Sequence, residues 1–447
     1  VIYDTFFFFN ELDLLEIRLE TLGEVVDQFV LVEAPRTVGR YEEKPLHYLK
    51  NRRRFSRWAD KIVHVVVEDL PAGPDPWARE AMMRDCVKRG LAGARDEDVV
   101  AVSDADEIIS PRALAEYRPG MGVCAPEQLH SYMWANCLGG RWAGTRVLSW
   151  GLLKGIRPTD ARRGGVPWRT YAHGCGGWHF SWLGGPDAMR QKLLAYAHQE
   201  LNLPHFTDPV WLHACAHSAL DPFRRDVAYE FVPLDDRFPP FLVRNRERFA
   251  HLWRDASFSS KWINDLQLTR LIDTCRFRAL HLEGQVVELG CWEGRSTVAI
   301  ANAAYPDVVV AVDTWQGSAE EDANHPTVRH CREHDVYARF LRNVKALTRG
   351  NVRPVRQDHG AWVDANRLPV KICHIDGSHN YAAVARAIRG VLPHVPPGGV
   401  VCGDDFQSAG LHRADLQGGV ERAVRELLPG FEQLDNFWIW QRRTNAG

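Results

Sequence analysis

The sequence predicts two α/β domains, each built on a mostly parallel sheet, and three observations carry that expectation. Apolar runs suited to buried strands alternate with helical stretches in two series, one from Val1 to Ile108 and one from Gln285 to the C-terminal end. Several runs leave the core directly into acids, as in "VVAVSDADEI" (Val99–Ile108) and "GGVVCGDDF" (Gly398–Phe406). The 447 residues also exceed the roughly 250–300 at which a single core stops growing. Such alternation covers a parallel sheet with helices and places ligands beyond the carboxyl ends of its strands.

In the first series "VIYDTFFFFN" reads as a strand, and Leu12, Leu15, Leu19 and Leu22 share one face of a helix. "QFVLVEA" and "KIVHVVVEDL" are further strands, and "PWAREAMMRDCVKRGLAGA" is a helix feeding "VVAVSDADEI". Glu33, Asp69 and Asp104 fall at strand ends. From Met121 to His251 the pattern weakens into stretches rich in Trp, His, Gly and Pro, such as "HGCGGWHFSWLGG". Long irregular segments in a compact domain are usually functional, and acceptor-side and lid structure is expected there. "KWINDLQLTRLIDTCRFRAL" reads as a helix opening the second domain, which divides the chain into 1–256 and 257–447 with no Pro- or Ser-rich linker.

The second series opens with "QVVELGCWEGRSTVAIANAA", a strand, a glycine turn and a helix. Gly290 and Gly294 suit a tight turn that lets backbone approach a ligand at the helix N-terminus. "VVVAVDTW" ends in Asp313, where an acid accepts hydrogen bonds from both ribose hydroxyls of a nucleoside lying across the strand ends. "VRPVRQDHGAW", "VKICHIDGSHNY" and "GGVVCGDDF" are the next strands, and "FEQLDNFWIWQRR" a terminal strand or hairpin.

The composition, 45% hydrophobic and 25% charged with a net charge of -2, points to neither a nucleic-acid nor a membrane surface. The basic run "KNRRRFSR" (Lys50–Arg57) reads first as a solvated face and only second as a phosphate contact. Ten cysteines occur singly without CxxC spacing, the usage of reduced thiols in a cytoplasmic enzyme. No apolar run approaches the roughly 20 residues of a bilayer span, and Phe6–Phe9 is too short for a signal-peptide core; an upstream segment and a homo-oligomer both stay open.

Clustered carboxylates raise one another's pKa and are costly to desolvate, so both acid sites call for a cation or a proton. Asp376, Asp404 and Asp405 end neighbouring strands and form an oxygen donor set suited to Mg²⁺. Substrate hydroxyls can replace its waters, and His379 is placed to act as general base on a hydroxyl so acidified. In "SDADEI", Asp104 and Asp106 suit a divalent ion bridging two phosphates of a departing diphosphate.

"VELGCWEGRST", "VDTWQGS", "HIDGSHNY" and "GDDF" resemble the motifs of class I S-adenosylmethionine-dependent methyltransferases, specifically the metal-dependent sugar O-methyltransferases of macrolide and aminocoumarin pathways. The resemblance covers Ser257 to the C-terminus and implies a Rossmann-like domain. Glu288, Gly290, Gly294 and Ser296 would line the cofactor, Asp313 would hold its ribose, and Asp358 would lie near its adenine. Some members carry an acidic base two residues beyond the metal aspartate; here that position is Ser378, so the base implied is His379.

"YDTFFFFNELDLLEIRLETLGEVVDQFVLVEA", "SDADEI" and "GWHFSWLGG…KLLAYAHQE" resemble family 17 glycosyltransferases over roughly the first 250 residues. That resemblance implies a GT-A fold, inversion at the anomeric carbon, and a nucleotide-sugar donor, UDP-linked and GlcNAc-like. Asp104 and Asp106 would bind Mn²⁺ or Mg²⁺ with the diphosphate, and Glu33 would sit near the uridine. Glu107, Arg84, His179 and Glu200 are further candidates for donor, phosphate or acceptor contacts. The bland readings are a helix N-terminal acid for Glu107 and a satisfied core histidine for His179.

Two competing signals are weaker. His213 and His217 in "HACAH", with Cys215 between them, lack the further ligands of a zinc site. A phosphatase reading of the D-x-D leaves the Trp- and His-rich segment without a role. The expectation is therefore a bifunctional enzyme, a sugar transferase acting on a glycan or glycoside acceptor joined to a sugar O-methyltransferase. The alternative is a methyltransferase with a non-catalytic, glycan-binding N-terminal domain.

Overall fold

The computed structural model describes residues 1–174, 176–317, 326–407 and 418–444. The chain forms two units, Val1–Pro209 with Arg225–Arg254, and Val210–Arg224 with Asp255–Gly447. The segment carrying His213, Cys215 and His217 thus belongs with the second unit although it precedes residue 257. Trp211, Ala214, Cys215 and Leu220 are buried there in one cluster with Leu268, Leu271, Ile272 and Val286, a contact that sequence order hides.

In the first unit β1 (Ile2–Phe7), β2 (Gln28–Glu33), β3 (Ile62–Val66) and β4 (Val99–Asp104) form a parallel sheet in the order β3-β2-β1-β4. The helix Leu12–Leu22 buries Leu14, Leu15, Leu19 and Leu22 against Phe6, Phe29 and Leu31. Its Arg18 is fully buried and grips Asp4 on β1 through two bonds of 2.6 Å. The same guanidinium donates to the carbonyls of Asp104, Ala105 and Glu107 at 3.1, 3.3 and 2.8 Å, which pins the acidic turn to the sheet. The basic run is absorbed locally: Arg54 pairs with Asp13 and Glu16, and Arg57 with Glu20, all acids of that helix.

The stretch after Met121 is not irregular. It supplies β6 (Cys124–Pro126), β7 (Gln128–Tyr132), β8 (Trp134–Trp142), β9 (Arg146–Ser149), β10 (Arg169–Tyr171), β11 (Gly177–Ser181) and β12 (Glu230–Phe231), after the short β5 (Glu107–Ile109). β9 pairs antiparallel with β4 and, with β6 and β10, extends the first sheet to seven strands. The remainder form a second sheet, β12-β8-β7-β11-β5. These strands are short, and the β7–β8 pairing shifts register near Ser131, so no sustained alternation reaches the sequence.

In the second unit β13 (Gln285–Leu289), β14 (Val309–Asp313), β15 (Val352–Arg356), β16 (Val370–Ile375), β17 (Val400–Gly403), β18 (Glu432–Leu434) and β19 (Phe437–Gln441) lie in the order β15-β14-β13-β16-β17-β19-β18. The first five are parallel, and β19 runs antiparallel between β17 and β18. The helix Asp265–Thr274 opens on an Asn264–Gln267 capping box, and the glycine turn after β13 leads into the helix Arg295–Ala304. No described helix is long and apolar enough to cross a membrane, and the nine described cysteines are free; Cys175 lies outside the described residues.

Candidate active sites

At the end of β4 the acids meet bases rather than solvent. Asp104 Oδ1 accepts from Arg84 Nη2 at 2.9 Å, and its Oδ2 accepts from Arg162 Nη2 at 2.9 Å. Burial alone would raise the Asp104 pKa, but Arg84 and Arg162 outweigh it and hold this carboxylate well below its usual range. Asp106 accepts from Lys192 at 2.7 Å and lies 3.9 Å from His179 Nε2. Its pKa is likewise lowered, the pull of Lys192 and His179 exceeding the cost of burial.

Glu107 is fully buried on β5 and is neither a helix cap nor a loose ligand. One oxygen accepts from Trp142 Nε1 at 2.6 Å and Arg162 at 2.8 Å; the other accepts from Thr145 and from the Asp104 backbone N–H. It fixes both Arg162 and the turn bearing Asp104. Gly144 permits this closeness, because a Cβ there would stand 2.1 Å from Glu107 Oε1 and 2.7 Å from Arg162 Nη1.

His179, on β11, stacks on His130 at 4.9 Å between ring centroids and lies 4.7 Å from the ring of Trp142, a residue 39% exposed. Glu33 does not face this cluster. It is fully buried, accepting from the Tyr48 backbone N–H at 3.2 Å, with His64 at 3.2 Å and Lys44 at 3.8 Å, so it offers no exposed oxygen to a nucleoside. Asp69 and Glu200 are held by the surface partners Arg89 and His198. Arg162, Lys192 and Trp142 escaped sequence reading because no local pattern marks them; they arrive from the helices Pro158–Arg163 and Gly185–Ala195 and from the end of β8.

The second unit holds a cavity of about 540 Å³ beyond the carboxyl ends of its strands, where Gly290, Ser296, Asp313, Asp358, Asp376, His379, Asp404 and Asp405 come together. Gly290 is indispensable: its φ is +88°, and a Cβ would fall 2.4 Å from the Asp376 carbonyl oxygen and Gly377 Cα. Asp313 accepts from the backbone N–H groups of Cys291, Trp292 and Trp315 at 2.7, 2.9 and 2.7 Å, which leaves acceptor capacity for a ribose hydroxyl. Asp358 caps the helix His359–Ala365.

Burial together with Asp404 and Asp405 pushes Asp376 well above the usual carboxylate range. Burial and Asp405 push Asp404 up to about 6, although Gln267 donates to it. Asp405 is the exception, held low against burial by a 2.7 Å bond to His379 Nε2 and a 3.2 Å bond from Asn436. Glu288 and Gly294 do not line the cavity. Glu288 is fully buried beneath it, bonded to Thr297 and to His374 Nδ1 at 3.2 Å, and Gly294 is the left-handed residue that starts the following helix.

The "HACAH" pair makes no metal centre. His217 bonds to the His213 carbonyl oxygen at 2.8 Å, Arg349 donates to His213 at 3.1 Å, and burial pushes the Cys215 thiol well up. Among the described residues no group of three or more His, Cys, Asp or Glu side chains is already drawn together as a metal cage.

At the carboxyl ends of two largely parallel sheets the structure thus sets a buried acid–base cluster and a glycine-walled cavity with carboxylates on its floor. Residues 1–136 match the model of glycosyltransferase family 17, and residues 287–406 match that of a methyltransferase domain. The chain therefore carries a family 17 glycosyltransferase domain followed by a methyltransferase domain, both of them domains of transferase enzymes. Human and rat beta-1,4-mannosyl-glycoprotein 4-beta-N-acetylglucosaminyltransferase are each 33% identical over 108 residues, 22% of this chain and 20% of theirs. The match thus spans a fifth of the length of these curated relatives. Similar solved structures include the O-methyltransferase NovP (TM-score 0.33, 18% identity, covering 47% of this chain and 92% of that one). Another is CalS11, a TDP-rhamnose 3'-O-methyltransferase of calicheamicin biosynthesis (TM-score 0.29, 16% identity, 47% and 88%).

Proposed function

We propose that this chain is a bifunctional enzyme. The first unit transfers a sugar, with inversion, from a nucleotide-diphosphate sugar to a glycan or glycoside, and the second methylates a sugar hydroxyl with S-adenosylmethionine. The observation that carries the reading is the pairing of the two sites on one chain: a buried acid–base cluster at Asp104–Glu107 and a carboxylate-floored cavity beside Gly290. A UDP-linked, GlcNAc-like donor rests on the likeness to the N-acetylglucosaminyltransferases. The cytoplasm is the proposed setting, resting on the unpaired cysteines.

In the second unit Asp376, Asp404 and Asp405 fit a hard divalent cation such as Mg²⁺, because all three offer oxygen and two of them are driven toward protonation where no cation balances them. Such an ion acidifies a hydroxyl bound to it. His379 takes the hydroxyl proton, and Asp405 orients the imidazole and stabilises the imidazolium that forms. The Gly290 turn and Asp313 would hold the nucleoside of S-adenosylmethionine, which would supply the methyl group.

In the first unit Asp104 and Asp106 offer carboxylate oxygens that would hold Mn²⁺ or Mg²⁺, and Arg84, Arg162 and Lys192 stand on those oxygens in this structure. Covalent linkage of the two units in one chain raises the effective concentration of the glycosylated intermediate at the methylating site.

The test uses two variants of the full chain. Asp104→Asn is expected to abolish sugar transfer while leaving methylation of a supplied glycoside intact, and His379→Asn is expected to do the reverse. A wild type that binds nucleotide-sugars or glycosides but turns over no donor would replace the first activity with a glycan-binding role.

A further inference from the structure

The acids at the end of β4 are tied to more cationic partners than a metal-binding acid pair needs. Asp104, Asp106 and Glu107 face Arg84, Arg162 and Lys192, and the same network takes in Glu80, on Arg84 and Arg163, and Glu11, on Lys192. The network is buried at its centre: the Arg84 and Arg162 side chains are 5% and 8% exposed. It is also incomplete in hydrogen bonding. Arg162 leaves both Nε and Nη1, and Arg84 leaves Nε, buried without an acceptor. An unpaired buried N–H of a charged group costs about 1–3 kcal/mol or more, so such donors are retained where an acceptor arrives later.

We propose that Arg84 and Arg162 are exchangeable counter-ions: they occupy the Asp104 carboxylate in the donor-free enzyme and pass to the donor's diphosphate oxygens when a divalent cation takes that carboxylate. This rests on the nucleotide-sugar reading of the first unit. Charge conservation supports it. A nucleotide-sugar diphosphate is doubly negative, so its complex with a divalent cation is neutral and leaves the net charge of the cluster unchanged. Each guanidinium released from Asp104 then finds phosphate oxygen in place of carboxylate, and no charge is buried alone.

The exchange also prepares the chemical step. When the acceptor hydroxyl oxygen bonds to the anomeric carbon, its proton passes to solvent, the bond from that carbon to the diphosphate oxygen breaks, and the electron pair leaves with the diphosphate. That group gains an additional negative charge. Arg162 and Arg84, with donors to spare, and Lys192, whose pKa the cluster's acids raise despite burial, surround the position where the charge develops. Glu107 is the fixed hinge of the device, since its bonds to Trp142 and Thr145 keep it beside Arg162 in both states.

The exchange predicts opposite signs for two affinities, which a purely structural arginine would not give. Arg162→Gln removes the cation on Asp104 Oδ2 and Glu107 Oε1, so Mn²⁺ alone, followed by electron paramagnetic resonance, should bind the full-length variant about 10-fold more tightly than it binds the wild type. UDP, GDP and dTDP, each titrated with saturating Mn²⁺ by calorimetry, should bind the same variant about 10- to 100-fold more weakly for whichever diphosphate the wild type prefers. Arg84→Gln, which leaves Glu107 paired, should repeat both signs and covers the case in which the first variant fails to fold. If both affinities move in the same direction, the exchange is wrong and the donor reading survives. If the wild type binds none of the three diphosphates with Mn²⁺, the donor reading itself falls, and the exchange with it.

Discussion

Replacing Arg18 by Met separates stability from site geometry in the first unit. Arg18 and Asp4 are both wholly buried, joined by two 2.6 Å bonds, and Arg18 also donates to the carbonyls of Asp104, Ala105 and Glu107. Removing one partner leaves a carboxylate in the core without a counter-charge, a loss of about 3–5 kcal/mol. For a unit of this size that lowers the melting temperature by roughly 10 °C, at about 2–4 °C per kcal/mol. Asp4→Leu combined with Arg18→Met removes both charges and should recover most of the stability, because a buried ion pair replaced by apolar groups is often close to neutral. Nucleotide binding should stay impaired in the double variant, since the turn carrying Asp104 and Asp106 remains unpinned. Calorimetric unfolding of the full chain provides the assay, with the second unit's transition recognised by its upward shift in S-adenosylmethionine. A single-variant loss below about 1 kcal/mol, or a double variant with normal nucleotide affinity, would refute the role assigned to Arg18.

Gly290→Ala should eliminate measurable S-adenosylmethionine binding and destabilise the second unit, since its Cβ meets backbone at 2.4 Å on top of a φ of +88°; thermal melts with and without the cofactor check this. His379→Asn should lower methyl transfer about 10²–10⁴-fold while leaving cofactor affinity within a factor of two or so, as expected of a proton acceptor. Chelation by EDTA should stop methylation, with Mg²⁺ restoring it, as measured by methyl transfer to a supplied glycoside. His130 gives a pH signature. Burial, then His179 and Arg225, push its pKa down to about 3, so below about pH 6.5 the unfolded chain binds a proton that the folded chain does not. The first unit should therefore lose about 2 kcal/mol between pH 7 and pH 5, and His130→Phe should flatten that slope in denaturant titrations.

The strand-end acids were legible because an apolar run that terminates in carboxylates has few other physical explanations, and Asp104, Asp106, Asp376, Asp404 and Asp405 all lie at such ends beside their sites. The same pattern overreached at Glu33, and the family resemblance overreached at Glu288. Both belong to the ends of parallel strands, but their carboxylates turn inward to Tyr48, His64, Thr297 and His374, and strand periodicity does not distinguish an acid facing a cavity from one facing the core. For another reason Arg162, and Lys192 within the quoted "KLLAYAHQE", were not singled out. They lie 58 residues beyond Asp104 and 86 beyond Asp106, so only the folded chain places them there. The second sheet of the first unit was hidden by short strands and a shifted register.

The most direct test of the central claim is a single reaction of the full chain with S-adenosylmethionine, Mn²⁺ and Mg²⁺, a panel of UDP-, GDP- and dTDP-sugars, and a glycoside acceptor, with products read by mass spectrometry. The account predicts an acceptor that gains one sugar and then one methyl group on the same molecule, the sugar gain absent with Asp104→Asn and the methyl gain absent with His379→Asn. Methylation that proceeds on every acceptor while no donor sugar is ever transferred would contradict it.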